Sequence, residues 1–186
     1  MKLQPKTQNV RDIRFTVYDM EWWTDREPYE LRVIGVYDED DFYRYYETVE
    51  EFLDSEIKKS TKTKTFFAHF GGRADVQFLV EYFTKKREGR YQVELVFNGS
   101  SAFMVFVHDK VSKKSFKFYD SYFIFQAKLD KIGQFFNMQK GSVDFNTKDL
   151  AALVKYNAQD CRILYEAIKN LAKEVKNLGG DFKPTL

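Results

Sequence analysis

The pattern of apolar residues along the chain predicts an α/β protein with a mixed central β-sheet flanked by α-helices. Short alternating or apolar segments recur between residues 11 and 119, and a long segment near the end has apolar residues at helical spacing. A strand-rich first half, a mixed middle and a helical end are typical of one sheet with helices packed on it. The length of 186 residues suits one domain with its own core.

The strands are predicted from period-two alternation and from runs of β-branched and aromatic residues. Acidic residues at 38–41 and the pair Asn98-Gly99 predict the turns of two hairpins. The predicted strands are residues 11–18, 31–37, 42–46, 65–69, 91–97, 102–108 and 115–119.

The helices are predicted from start signals and from apolar residues at three- and four-residue spacing. Thr48 followed by Glu51 is the signature of a capping box, and Gly179-Gly180 is a helix stop signal. The predicted helices are residues 49–59, 75–86, 129–136, and a long one from residue 146 or 147 to 177.

These boundaries predict a single domain at residues 11–178, preceded by a flexible N-terminus at 1–10 and followed by a tail at 179–186. The sequence has no internal repeat and only 9 Gly and 3 Pro, so we expect no flexible linker inside this domain. A net charge of +2 is far from the strong basic field of a protein that coats DNA without specificity.

Composition narrows the kinds of site that the chain can carry. One cysteine and two histidines exclude a disulfide framework and a zinc site rich in those residues. A metal site would therefore use carboxylates, which favours Mg²⁺, Mn²⁺ or Ca²⁺. With no apolar leader and no apolar run of membrane-spanning length, we expect a cytoplasmic protein without a membrane partner.

Two acidic residues stand where the first predicted strand ends. Asp19 and Glu21 are two positions apart, so their carboxylates point to the same face of an extended segment. Two like charges at that distance raise each other's pKa, and a divalent cation between them would relieve the repulsion. The alternative is a solvated acidic turn in front of two tryptophans.

Two further acidic residues lie on predicted helices. Asp75 follows a strand and a glycine pair and opens a helix, where it is either a helix N-cap or first-turn charge, or a metal ligand. Tyr156 and Asp160 are four residues apart and therefore share one face of the last helix, beside its apolar stripe. A carboxylate there is costly unless it binds a metal or accepts a hydrogen bond, for which Tyr156 is a donor.

In their order along the chain, these motifs resemble those of the DEDDy branch of 3′–5′ exonucleases, and above all the exonuclease domains of protein-primed family B DNA polymerases. The segments YDMEW, AHFGGRADVQFL and YNAQDCRILYEAI resemble the three exonuclease motifs. FYDSYFIFQAKLDKIGQFF resembles the segment that leads into a substrate-contacting helix, and QKGSVDF resembles a stretch that carries a functional lysine. The resemblance extends over residues 16–168.

The resemblance implies an RNase H-like (DnaQ-like) exonuclease fold and the removal of nucleotides from the 3′ end of single-stranded DNA. It also implies two Mg²⁺ or Mn²⁺ ions as cofactors. Tyr156 would orient the attacking water, since an ordinary phenol pKa of about 10 makes it a poor base at neutral pH. Lys140 would supply positive charge near the scissile phosphate. The carboxylates that would hold the metal ions are Asp19, Glu21, Asp75 and Asp160.

The same resemblance implies a set of contacts with the nucleic acid. Aromatic side chains near the site are candidates for stacking on bases, with packing inside the protein as the alternative. Besides Trp22 and Phe70, these candidates are Trp23 and Phe123. The residues implied to contact nucleic acid are Trp22, His69, Phe70, Ser121, Lys128 and Leu129.

Four positions depart from the pattern of the family. Phe70 replaces an asparagine, Ala74 an aromatic residue, and Trp22 a threonine. Lys128 stands where the family has a serine or threonine. In the family, these positions contact the nucleic-acid strand and do not bind metal. We therefore expect an intact metal site and altered binding of the nucleic-acid strand.

Two alternative functions stay open. The same fold could act on RNA, because a pocket for the 2′-hydroxyl cannot be recognised in sequence. It could also bind nucleic acid without cleaving it. The segment LGGDFKPTL resembles the stretch that leads from the exonuclease into the polymerase domain, so a polymerase domain in cis or in trans is a candidate partner.

Overall fold

The computed structural model describes residues 14–40, 42–60, 63–72, 74–86 and 89–182. Within these ranges, the strands form one seven-stranded sheet. The strands are β1 Thr16–Trp23, β2 Glu30–Asp38, β3 Phe42–Tyr46, β4 Thr63–Ala68, β5 Tyr91–Asn98, β6 Ser101–Asp109 and β7 Ser115–Asp120. The helices are α1 Val49–Lys59, α2 Val76–Glu81 (continued by a π-helical turn, Tyr82–Lys86), α3 Tyr122–Phe125, α4 Leu129–Phe135 and α5 Leu150–Asn177.

The sheet has a parallel centre and antiparallel flanks. Its strand order is β3-β2-β1-β4-β7-β6-β5. β4 runs parallel to both β1 and β7, whereas the outer strands pair antiparallel with their neighbours. The predicted mixed sheet is therefore confirmed. The carboxyl ends of β1, β4 and β7 meet at one edge, which is where ligands bind in sheets of this kind.

Each face of the sheet is covered by its own helices. One core contains Tyr18 and Met20 of β1 together with buried residues of α1 and α2. The other contains Val17 together with buried residues of α4 and α5. Because successive residues of a strand point to opposite faces, Asp19 and Glu21 lie on the face that carries α5.

The helix bounds depend on local hydrogen bonds. The Glu51 N–H donates to the Thr48 hydroxyl at 3.1 Å, which is the N-cap half of the predicted capping box, and α1 has the predicted bounds. The Glu51 side chain accepts from the Glu47 N–H, one residue before the N-cap. α5 begins at Leu150, later than predicted, because the Asp144 and Thr147 side chains accept hydrogen bonds from nearby N–H groups and hold a turn. Asp149 then caps the helix.

The first strand differs from its prediction. Residues 11–13, at its predicted start, lie outside the described part of the chain, and so do residues 1–10 and the end of the tail, 183–186. β1 ends at Trp23 because β2 pairs with it through Trp23↔Glu30. Asp19 and Glu21 are therefore inside the strand and do not follow it. The short helix α3 was also not predicted.

The length and the apolar character of the described helices test the expectation that the chain has no membrane-spanning segment. None of them combines the length and the apolar character that are needed to cross a bilayer.

Candidate active site

Two carboxylates of β1 lie side by side under α5, that of Glu21 buried and that of Asp19 half-buried. Glu21 is 6% exposed, and Asp19 is only partly exposed. Burial raises the pKa of Asp19 well above its ordinary value, and the charges of Glu21 and Asp160 raise it further. Burial also raises the pKa of Glu21 to about 7, again with a contribution from Asp160. The predicted solvated turn is thus not what the structure contains.

α5 brings Asp160 to the same place. This side chain is 3% exposed, and burial raises its pKa although the Lys140 ammonium and the Tyr156 hydroxyl act against that shift. Lys140 Nζ lies 2.8 Å from Asp160 Oδ2. The other oxygen, Oδ1, is buried and has no hydrogen-bond partner.

Lys140 is held over Tyr156 by a well-anchored loop. Its ammonium lies 5.3 Å from the centre of the Tyr156 ring. The preceding carbonyl, of Gln139, accepts a hydrogen bond from Gln159 at 2.9 Å. Arg32 donates to two carbonyls further along the loop. Burial disfavours the Lys140 ammonium, but hydrogen bonds to Asp160 and Tyr156 outweigh this effect, so the pKa of Lys140 is raised.

Asp75 approaches the cluster from α2. It occupies the residue before the helix but makes no capping hydrogen bond, so the N-cap interpretation is not supported. The side chain is 4% exposed, and its Oδ2 atom has no hydrogen-bond partner. Burial raises its pKa well above the ordinary value, followed by the charges of Asp19 and Asp120.

The donor chemistry of this cluster fits a hard divalent cation. The carboxylates of Asp75 and Asp160 each leave one buried oxygen without a partner, which is costly unless something binds there. Oxygen ligands are those that Mg²⁺ and Mn²⁺ prefer. However, within the described ranges no three acidic, histidine or cysteine side chains stand close enough together to form a ready-made cage. The carboxylate of Asp160 is paired with Lys140 instead.

An open cleft of about 520 Å³ adjoins the cluster. It brings together most of the side chains predicted to act on or bind nucleic acid, but Glu21, Asp75, Tyr156, Trp22 and Ser121 do not line it. The lining residues are Asp19, His69, Phe70, Lys128, Leu129, Asp130, Lys140 and Asp160.

His69 and Ser121 bond each other at the wall of this cleft. His69 Nε2 lies 2.8 Å from the Ala127 carbonyl, which can only accept, so Nε2 carries the proton. Nδ1 then accepts from the Ser121 hydroxyl at 3.0 Å. Burial lowers the pKa of His69 to about 4, so the ring is neutral. Both nitrogens are engaged within the protein, and a contact of this pair with nucleic acid stays a prediction.

Phe70 forms an aromatic platform at the cleft. Its ring stacks on Tyr122 with 4.2 Å between centroids. Its φ of +63° is in the left-handed region, which is uncommon for a bulky residue. The strain is sustained because Asp120 Oδ1 accepts hydrogen bonds from the N–H groups of both Phe70 and Tyr122, each at 2.9 Å.

Asp120 is a site residue that the sequence reasoning missed. Its second oxygen accepts from the Gly72 N–H at 3.1 Å, so one buried carboxylate joins the end of β7 to the glycine loop after β4. A Cβ at Gly72 would lie 1.9 Å from the Ala102 carbonyl oxygen, which explains the glycine. The motif FYDS contained Asp120, but nothing in the sequence pointed to these partners.

The tryptophans do not line the cleft. Trp22 lies on the other face of β1, where it packs against the first core and its ring is 5.6 Å from that of Phe78. Trp23 is in cation–π contact with Arg26 and Arg32, at 4.1 and 3.7 Å. Both have the packing role that was the alternative to stacking on bases, so for Trp22 the predicted nucleic-acid contact is not supported by its position.

Comparisons with known proteins identify the fold. No protein-family model and no curated protein matches the sequence. The fold is similar to phi29 DNA polymerase complexed with primer-template DNA, with a TM-score of 0.69 and 17% identity over 87% of this chain. It is also similar to phi29 DNA polymerase complexed with single-stranded DNA (TM-score 0.68, 17% identity, 87% of this chain). A third similar structure is the family B DNA polymerase of the hyperthermophilic archaeon Pyrobaculum calidifontis (TM-score 0.60, 15% identity, 88% of this chain).

These similarities confirm the predicted α/β fold, which is that of the exonuclease domain of the polymerases. At such low identity they establish the fold alone. The chain corresponds to 31%, 32% and 24% of the three polymerase chains, respectively.

The raised pKa of Glu21 predicts how stability depends on pH when no divalent cation is present. The carboxyl group titrates at about 7 in the folded chain and at 4.5 as the reference, so the folded state holds the proton more tightly. The free energy of unfolding therefore falls as the pH rises between these values, by about 3 kcal/mol. In EDTA, we expect a lower melting temperature at about pH 7.5 than at about pH 5.

The variant Glu21→Gln should reduce this difference, whereas the matched change at the exposed Glu47 should leave it as in the wild type. A melting temperature that does not change between about pH 5 and pH 7.5 would contradict the raised pKa of Glu21.

Proposed function

We propose that this chain is a metal-dependent 3′–5′ exonuclease that hydrolyses phosphodiester bonds at the 3′ end of single-stranded DNA. The observation that carries the proposal is the buried acidic cluster at the carboxyl edge of a polymerase-type exonuclease fold. Its four carboxylates come from three separate segments of the chain. They are Asp19, Glu21, Asp75 and Asp160.

The proposed cofactors are two Mg²⁺ or Mn²⁺ ions held by these four carboxylates. When bound, the ions would neutralise phosphate charge and make a water molecule nucleophilic at neutral pH. Tyr156 would orient that water, because burial raises its pKa and keeps its hydroxyl protonated. Lys140 stays charged and would contribute positive potential to the phosphate.

The cleft suits a single strand that is held by stacking and by phosphate charge. The stacked rings of Phe70 and Tyr122 offer an aromatic surface, and Lys128 is exposed beside it. Stacking on aromatic side chains tolerates any base, which suits an enzyme without sequence preference. Phi29 DNA polymerase, part of which has a similar fold, has been solved in complex with single-stranded DNA, and this favours DNA as the substrate here.

The test is digestion of matched DNA and RNA oligonucleotides that carry a label at the 3′ or the 5′ end, with Mg²⁺, Mn²⁺ or EDTA. We expect immediate release of a 3′-labelled mononucleotide, a ladder of shortened products from the 5′-labelled strand, and no reaction in EDTA. Release from the 5′ end, or digestion in EDTA, would contradict the proposal. Faster digestion of the RNA would move the substrate class to RNA.

The second candidate is a nucleic-acid-binding module that does not cleave. The ion pair between Lys140 and Asp160 favours it, together with the lack of a ready-made metal cage among the residues that the structure describes. This candidate predicts strand binding that neither metal ion converts into cleavage.

The aromatic platform gives a prediction about strand affinity. Phe70→Asn should weaken binding of single-stranded DNA by about 5- to 100-fold, since stacking is worth about 1–3 kcal/mol per base. Asparagine tolerates the left-handed backbone at this position, so the fold should be kept. The measurement is fluorescence anisotropy with a labelled oligonucleotide.

The matched control is Phe135→Asn, which changes a phenylalanine that is 79% exposed on α4 and outside the cleft. It should bind DNA as the wild type does. If Phe70→Asn changes the affinity for Mn²⁺ and not that for DNA, the platform is not a strand contact.

A further inference from the structure

A fully buried carboxamide joins the long helix to the acidic strand. Asn157 of α5 is 0% exposed. Its Nδ2 atom donates to the Asp19 main-chain oxygen at 3.1 Å and to Asp19 Oδ2 at 3.0 Å. Both partners are acceptors, so the amide can point only its NH₂ group toward Asp19.

The other end of the carboxamide is fixed by a separate strand. Asn157 Oδ1 accepts a hydrogen bond from the Tyr43 hydroxyl of β3 at 3.0 Å. The Cys161 thiol, one turn further along α5, lies 3.8 Å from the same oxygen. The amide therefore has partners at both ends and one orientation, which is what a polar group inside a core requires.

The sheet leaves space for this amide. Gly35 of β2 pairs with Asp19 in the ladder between the two strands. A Cβ at Gly35 would lie 1.5 Å from Asn157 Oδ1 and 2.9 Å from the Tyr43 ring. Any other residue at this position would displace the amide, so the arrangement depends on a residue in each of three strands and one helix.

We infer that Asn157 is a positioning residue for Asp19 in the proposed nuclease. By bonding the main-chain oxygen and Oδ2 of the same residue, it fixes the orientation of the carboxylate relative to the strand. Of the two carboxylate oxygens of Asp19, the amide bonds only Oδ2. This inference rests on the proposed function for the identity of the ligand, a divalent cation.

The choice of an amide has an electrostatic reason. The Asp19 carboxylate is under repulsion from Glu21 and Asp160, so something must hold it in place. A lysine or arginine would hold it but would also neutralise the charge that attracts a cation. A neutral NH₂ group orients the carboxylate and leaves its negative charge. Partners of this kind typically change metal affinity by about 10- to 100-fold when they are removed.

The test compares cation affinity with stability. Asn157→Leu keeps the volume but removes the hydrogen bonds, and Tyr43→Phe removes only the hydroxyl that fixes the far end of the amide. Free Mn²⁺ is titrated by electron paramagnetic resonance without DNA, melting temperatures are taken in EDTA, and kcat and KM are measured on an oligonucleotide. We expect Asn157→Leu to raise the Kd for Mn²⁺ by about 10- to 100-fold. Tyr43→Phe should raise it less.

The matched control is Ile168→Val, a conservative change at a fully buried position of α5 that lies away from Asp19. It should lower the melting temperature by roughly 2–4 °C and leave the Kd for Mn²⁺ unchanged. A purely structural Asn157 would behave like this control.

The outcomes distinguish the inference from the proposed function. Wild-type Mn²⁺ affinity in both variants, with lowered melting temperatures, would overturn the positioning role even if the wild type cleaves DNA. Mn²⁺ binding by the wild type without cleavage would contradict the proposed nuclease, whereas the comparison of Kd values would still decide the role of Asn157. If Asn157→Leu does not fold, an unchanged Kd in Tyr43→Phe overturns the inference.

Discussion

Asp19→Ala should lower the rate of DNA cleavage by several orders of magnitude, the largest loss that we expect from a single change. Glu21 and Asp160 both act electrostatically on Asp19, which makes it the centre of the acidic cluster. Its removal takes away the carboxylate on which the proposed pair of cations depends most. The measurement is the single-turnover rate on a 5′-labelled oligonucleotide at saturating Mg²⁺ or Mn²⁺.

A second variant separates the charge of Asp19 from its shape. Asp19→Asn keeps an oxygen that can accept from Asn157 but has no negative charge. It should be as inactive as the alanine variant and should melt in EDTA at or above the wild-type temperature, because a repelled buried charge is gone. The control is Asp54→Ala on α1, which packs on the other face of the sheet. Full cleavage by Asp19→Ala would refute the proposed mechanism.

Asp160→Ala should cause the second largest loss, and high Mn²⁺ should restore part of the rate. The change removes a proposed ligand that has one buried oxygen without a partner. It also frees Lys140, whose ammonium lies 2.8 Å from the carboxylate. Lys140 is partly exposed and can turn its charge toward water, so the melting temperature in EDTA should stay near that of the wild type.

Tyr156→Phe is the matched comparison on the same helix face. It removes only the hydroxyl that is proposed to orient water, so we expect a loss on the order of 10- to 100-fold that more metal does not restore. If both variants keep wild-type rates and melt at lower temperatures, Tyr156 and Asp160 are a structural pair. That result would also mean that the motif match has no catalytic meaning.

The sequence predicted those features of the fold whose signals are local. The N-cap bond from the Glu51 N–H to the Thr48 hydroxyl lies within one turn of the helix that it starts, and α1 has the predicted bounds. The end of β1 was placed too early, because Trp22 and Trp23 are held in the strand by pairing with β2. Such pairing depends on a neighbouring strand and leaves no signature inside the segment itself.

In the candidate site, too, the residues with local sequence signals were predicted and those that depend on distant partners were not. Its carboxylates stand in short motifs, so the sequence and the family resemblance predicted their positions. Asn157 interrupts the apolar stripe of the last helix, and its role could not be predicted, because its partner Tyr43 is 114 residues away and the space beside it is due to a glycine on another strand. Asp120 was missed for a similar reason, since it bonds N–H groups of Phe70 and Gly72 across the sheet.

The shared acceptor at Asp120 has a mechanical consequence for the aromatic platform. A single carboxylate anchors the backbone on both sides of the stacked rings, so Phe70 and Tyr122 can move only together and only with the end of β7. The platform is thus rigid, and its two rings cannot adjust independently of each other. In the proposed complex, a rigid platform would meet purines and pyrimidines at the same height, so the backbone of the incoming strand, and not the protein, would have to absorb the difference in base size.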